Sequence, residues 1–185
     1  MKELYDFKYE IYNEANDNIQ NFKQINENQI ILAIRRSYNG YGNIGFLTRI
    51  LLCDLEKKEI REKPIITHNG KSIGESICKI SEKYLAIGVY ESIIIIDLKK
   101  LKKIKEYKES QFLKNLCTFN NYLICGSNRG TVYKYTINEE KLELKDEIKK
   151  DDNYNHSIDS LIKLNRKTMV ISQNNTIFIY ILNEK

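Results

Sequence analysis

The feature that most constrains this chain is a repeat. Four short, strongly apolar segments recur along its 185 residues: ILLCDL (50–55), IIIIDL (93–98), VYKYTI (132–137) and IFIYIL (177–182). They start at residues 50, 93, 132 and 177, which are 43, 39 and 45 residues apart. A small unit recurring at such a spacing cannot bury its apolar face alone and must stack on its neighbours. The chain is therefore expected to be an array of similar modules.

Each module reads as a set of strands. A second β-type segment precedes each of the four: IILAI (30–34), YLAIG (84–88), YLICG (122–126) and TMVIS (168–172). In the last three modules the link between the two is short and turn-like, VYES, SNRG and QNN, where Asn, Gly and Ser supply the backbone angles of a tight reversal. A third apolar stretch lies upstream of each pair, at 19–25, 73–80, 113–119 and 158–164. After three of the pairs comes a charged fourth segment, EIREKPII (59–66), LKKIKEY (101–107) and LELKDEI (142–148). Apolar inner strands and a charged outer one suit a sheet whose outer edge must resist pairing with other chains. The run KKLKKIK (99–105) fits that role, with a basic docking strip as the alternative. No segment carries a sustained 3.6-residue apolar period, so helices should be few. The expectation is an all-β chain of four four-stranded modules, at about 14–66, 67–108, 109–149 and 150–185. They form one domain over 1–185, behind an N-terminal strand within 1–13.

These modules resemble the WD40 repeat, and the resemblance runs through all four. YLICGSNRGTVYKYTI (122–137) and TMVISQNNTIFIYIL (168–182) are similar to its second strand, turn and third strand. Tyr135 and Tyr180 fall where that family usually has tryptophan. Cys53-Asp54 and Ile96-Asp97 fall on its Trp-Asp dipeptide and keep only the acid. The resemblance implies a β-propeller, each module being one blade. The departures are the absence of any Trp and the presence of Glu91, Arg129 and Asn174 where the family has a turn aspartate. His68 and His156 lie near the loop before the first strand without the usual acidic partner, so the family's hydrogen-bonded tetrad cannot be assembled in its ordinary form. WD40-like rings close by lending the last blade an N-terminal strand. Residues 5–11 alternate Tyr5, Phe7, Tyr9 and Ile11 with Asp6, Lys8 and Glu10, and no fourth strand follows IFIYIL. Residues 4–12 are the expected replacement. Propellers have about four to eight blades. Four therefore close as a small ring, or form a partial propeller that a second chain or a further part of the gene completes, and an open form would expose the apolar flanks of its end blades.

Composition narrows function mainly by exclusion. Cys53, Cys78, Cys117 and Cys125 form no C-x-x-C pair and sit in apolar stretches, which suits small hydrophobes better than zinc ligands. Neither histidine has the context of a Ser-His-Asp set. Asp151 and Asp152 lie in a polar loop, DDNYNHS. No catalytic group, cofactor or metal is expected. The N-terminus lacks the apolar core of a signal peptide, and Ile93–Ile96 is far too short to span a bilayer, so an intracellular, cytoplasmic protein is expected, the nucleus included as a possibility. The net charge of +5 is spread along the chain and identifies no nucleic-acid partner.

The remaining candidate is a binding face. The first module carries an insertion, SYNGYGNIGF (37–46), that fits G-x-G-x-x-G over 40–45. Strand-like residues 47–55 follow it where a dinucleotide site needs a helix, so the expected role is a long flexible hairpin loop that carries recognition. Tyr38, Tyr41 and Phe46 would be its aromatic anchors, with Arg35 and Arg36 alongside, since Tyr and Arg dominate interface energetics. The turns holding Tyr90, Arg129 and Asn174 are expected on the same face. The resulting expectation is a non-enzymatic scaffold or adaptor with protein partners or self-association. The alternative is a ribonucleoprotein subunit that places Lys99–Lys105 and Arg35/Arg36 on phosphates.

Overall fold

The structure is a computed structural model that describes residues 17–40, 43–61, 63–69, 73–89, 91–108, 113–138, 141–148 and 156–181. The chain divides into two compact units, 1–70 and 71–185. Among the described residues every regular element is a β-strand.

The first unit holds one antiparallel sheet. Its strands are β1 (Asp17–Asn26), β2 (Gln29–Gly40), β3 (Asn43–Asp54), β4 (Glu59–Ile60) and β5 (Ile66–Asn69). They order β1-β2-β3-β4, with β5 also pairing β3. The charged segment expected as one strand at 59–66 is thus two short ones. Pro64 lies between them; a residue with no amide hydrogen and a fixed φ breaks a ladder. Ile31, Ala33, Ile34, Ile50 and Leu52 are buried on β2 and β3.

The second unit holds three sheets. The first comprises β6 (Ile73–Lys79), β7 (Tyr84–Val89), β8 (Ser92–Asp97) and β9 (Lys102–Lys108), the next β10 (Leu113–Phe119), β11 (Tyr122–Ser127), β12 (Val132–Asn138) and β13 (Lys141–Ile148). The last has three described strands, β14 (Ile158–Lys163), β15 (Thr168–Gln173) and β16 (Thr176–Ile181). All pairings are antiparallel between sequence neighbours, as hairpins of this length require. Residues 4–12, expected to pair with β16, lie outside the described residues.

The pairing registers put the four modules in one frame. Cys53, Ile96, Tyr135 and Tyr180 stand opposite Ile30, Leu85, Leu123 and Met169, which makes them equivalent positions. Asp54 and Asp97 then occupy the same corner. Each accepts two main-chain amides through Oδ1, Asp54 from Glu56 and Lys57, Asp97 from Lys99 and Lys100. Four residues on, Lys58 and Leu101 adopt positive φ values of 55° and 49°. The retained acid of the dipeptide is therefore a turn cap.

A bulge repeats at the first strand of each module. The register slips between Ile19 and Asn21, Ile73 and Ser76, Leu113 and Asn115, and Ile158 and Ser160. Opposite each bulge stands a small residue, Ala33, Gly88, Gly126 and Ser172. In the second unit this is where the next sheet docks. A Cβ on Gly126 would meet Ile158 Cγ2 at 2.6 Å, and one on Gly88 would meet the Leu113 carbonyl oxygen at 3.3 Å. The bulge side chains cross the same gap. Ser76 Oγ accepts the Leu116 amide at 2.6 Å, and Asn115 Nδ2 donates to the Ile158 carbonyl at 2.8 Å. At the outer strands Tyr107 Oη accepts the Leu142 amide at 2.9 Å.

Two apolar cores fill the spaces between these sheets. Ala86, Ile93 and Ile95 pack with Leu113, Leu116, Cys125, Tyr133 and Tyr135 in one. Ile124 and Val132 pack with Ile158, Met169 and Ile171 in the other. Fully burying side chains of this size stabilises by about 1.5–3 kcal/mol each.

Candidate interaction surface

The structure corrects the expected recognition loop. β2 runs on to Gly40 and β3 starts at Asn43, with Ser37↔Phe46, Tyr38↔Gly45, Asn39↔Ile44 and Gly40↔Asn43 in register. The insertion therefore lengthens a hairpin and is not a ten-residue loop. Its alternating residues can satisfy their backbone groups across the ladder, which a free loop cannot do. Glycines 40 and 45 lie in strands, and β3 runs through the motif to Asp54 where a dinucleotide site would need a helix. Tyr41 lies outside the described residues. Arg35 and Arg36 are half-buried on β2, paired with Thr48 and Leu47.

The candidates of the second unit fall in equivalent hairpin turns between the second and third strands. Arg129 is exposed in the β11–β12 turn, where Ser127 Oγ accepts the amides of Arg129 and Thr131, and Gly130 takes a φ of 80°. Asn174 and Asn175 form the two-residue β15–β16 turn with φ of 44° and 61°, the left-handed pair that Asn favours. The Asn174 amide donates to Asp159 Oδ2 at 3.0 Å. Glu91 is exposed at the corresponding place between β7 and β8, and its neighbour Tyr90 lies outside the described residues. Arg129 and Asn174 thus occupy one repeated position, and Asn174 also has a turn-forming duty of its own.

Little resembles a reaction centre. Among the described residues no group of three or more His, Cys, Asp and Glu side chains is placed to hold a metal ion. No described helix is long and apolar enough to cross a membrane. His156 contributes its carbonyl, which accepts from Gln173 Nε2 at 2.5 Å. A shallow depression lined by Asn26, Glu27, Asn28, Gln29, Asp54 and Glu56 opens at the hairpin ends of the first unit. The cysteines are present as thiols, and Cys53, Cys78 and Cys125 are buried. Burial and then the neighbouring Asp54 carboxylate push the Cys53 thiol pKa up. The basic run lies in the turn before β9 and on that outer strand. There Lys103 pairs with Glu106 at 2.9 Å and Lys105 lies 5.3 Å from the centre of the Tyr107 ring.

Among the described residues, the large apolar side chains that are exposed are ones the candidate binding face did not include. Ile177, Ile179 and Ile181 on β16, Ile162 on β14 and Leu164 just beyond it are exposed, as are Ile19 and Phe22 on β1. Their signal in sequence was only that they belong to the first and last modules, whose flanks an open array leaves uncovered.

Sheets of this order, docked in this way, define a WD40-like β-propeller fold. Three solved structures share it. Sqt1 of Chaetomium thermophilum superposes with a TM-score of 0.57 at 13% identity, over 81% of this chain and 40% of its own. A chain of the Mitotic Checkpoint Complex gives 0.60 at 8% identity, over 86% and 60%. The computationally designed Ika4 protein gives 0.56 at 11% identity, over 85% and 88%. The chain thus spans less than two thirds of the length of each of the first two. No family model matches the sequence. No curated protein matches it either.

Proposed function

We propose that this protein is a non-enzymatic scaffold or adaptor that holds protein partners within a larger assembly. The observation that carries the reading is the repeated placement of exposed turns, Glu91, Arg129 and Asn174, on sheets locked together by buried bulge contacts. Turns on a rigid stack present side chains at fixed spacing without an ordering cost on binding. A WD40-like neighbour that belongs to a named protein complex supports the same reading. Arg35 and Arg36 of the first unit are further contact residues in this proposal, as is action in a reducing intracellular compartment.

Affinity purification from the source cell, followed by mass spectrometry, tests it. The expected result is a defined set of proteins whose recovery falls with Arg129→Ala while the fold, read by circular dichroism, is unchanged. Recovery of RNA with a steep loss of binding as salt rises would replace the scaffold by a ribonucleoprotein subunit.

A further inference from the structure

The interface between consecutive sheets is repeated position by position, and two halves of it remain uncovered. In the second unit, the face of one sheet that carries its small residue receives the first strand of the next. Ile93 and Ile95 lie on that face of the β6–β9 sheet at 0% and 2% exposure, and Val132 on that of the β10–β13 sheet at 3%. The registers make Ile177 equivalent to Ile93 and Val132, and Ile179 equivalent to Ile95. On the β14–β16 sheet, however, Ile177, Ile179 and Ile181 are 69%, 65% and 67% exposed. Ile179, Val170 and Ile162 stand in one row across the three strands, with Leu164 beside Thr168 at the next row, so the patch is continuous.

The matching half is on β1. Ile19 is equivalent to Leu113 and Ile158, and Phe22 to Leu116 and Leu161, because each pair flanks the same bulge. Leu113 and Ile158 are 0% and 1% exposed, seated on the sheet before them, whereas Ile19 and Phe22 are 55% and 66% exposed. The chain therefore displays both an uncovered receiving face and an uncovered inserting strand of one and the same interface type.

We infer that the exposed face of the β14–β16 sheet binds the β1 face of a second copy of this chain. Ile19 and Phe22 of that copy would take the places of Leu113 and Leu116 in the internal interface, over Ser172, Ile177 and Ile179. The bulge supplies the polar contact. Ser160 is equivalent to Ser76, whose Oγ accepts the Leu116 amide, so Ser160 Oγ is placed to accept the Phe22 amide of the second copy. The contact is heterologous, joining one surface of a copy to a different surface of the other. Among the described residues β16 pairs only with β15, and a strand added along its other edge would leave this face uncovered, so such a strand does not compete with the inference. It also stands apart from the scaffold reading, which concerns the hairpin turns.

The experiment is sedimentation velocity of the full 185-residue chain across a concentration series, with Phe22→Lys and Ile179→Glu variants. The expected result is a species of at least twice the chain mass. Each substitution alone should raise the dissociation constant about tenfold or more. Both positions are exposed, so thermal unfolding of the dissociated chain should be unchanged; Ile19→Ser and Ile181→Ser serve if either charged variant misfolds. Mixing the two variants should restore association, because one of the two contacts then joins two intact faces. A monomer at every concentration overturns the inference. So does a dimer that ignores Phe22→Lys, or a mixture that fails to reassociate.

Discussion

Ser76 and Leu116, forty residues apart in sequence, are joined by a 2.6 Å hydrogen bond from the Leu116 amide to Ser76 Oγ, across the boundary between two sheets. The hydrogen-bonded tetrad usual in WD40 repeats cannot be assembled here in its ordinary form, since the sequence has no Trp. Among the described residues the sheet-to-sheet polar contacts include those of the bulged first strands, where Ser76 and Asn115 each reach the next module, and the Tyr107–Leu142 bond of the outer strands. Replacing Ser76 by Ala leaves the Leu116 amide buried with its acceptor gone. The expected cost is about 1–3 kcal/mol in urea denaturation. A change near zero would mean that the bulge contact contributes nothing net.

Gly126 faces Ile158 with no space for a methyl group, and the atoms in the way include the Ile158 Cβ, which cannot swing aside. Gly126→Ala should destabilise by about 1–3 kcal/mol through overpacking. Gly126→Ala combined with Ile158→Ala should cost less than the sum of the two single changes. Simple additivity in that cycle would show that the two positions do not press on each other.

Asp97 titrates below the usual carboxylate range because the Lys100 amide, with smaller help from the Lys99 amide and the Lys100 and Lys83 charges, holds its ionised form. A lowered folded-state pKa contributes stability above the unfolded-state value, near pH 3.9, that is lost as pH falls through the folded-state value. Asp97→Asn keeps the Oδ1 acceptor and removes the charge. Its denaturation midpoint should therefore fall less than wild type between neutral pH and pH 3. Parallel curves for the two proteins would show that the turn does not depend on the carboxylate.

The thiols should separate by burial. Cys117 is half-buried, while Cys53, Cys78 and Cys125 are buried, and Cys53 is also held in its unreactive neutral form. A disulfide reagent at neutral pH should label Cys117 first in the native protein, with all four reacting in denaturant. Loss of the fast phase in Cys117→Ser is the check, and a fast phase that persists would contradict this burial pattern.

The apolar segments of the sequence set the strands, their order and their hairpins. β10 coincides with the apolar stretch read at 113–119, and the Asn174-Asn175 pair marks its turn because few other residues tolerate two successive left-handed conformations. Local preference is enough for such features, since period-two alternation and turn chemistry act within a few residues. The same local reading took 37–46 as a long hairpin loop where the paired strands run on to Gly40 and Asn43, because Gly and Asn are as compatible with a ladder as with a loop. It also read 59–66 as one strand although Pro64 interrupts it. The bulges, and the small residue opposite each, were not legible: Ser76 with Gly88 and Asn115 with Gly126 acquire meaning only when another sheet lies against them. Nor could sequence separate Ile95, buried, from Ile179, exposed, since both are aliphatic residues at the same place in the repeat. The sequence by itself determined what each module is. Tertiary structure decided which faces the modules spend on one another, because burial belongs to the pair of surfaces and not to either strand alone.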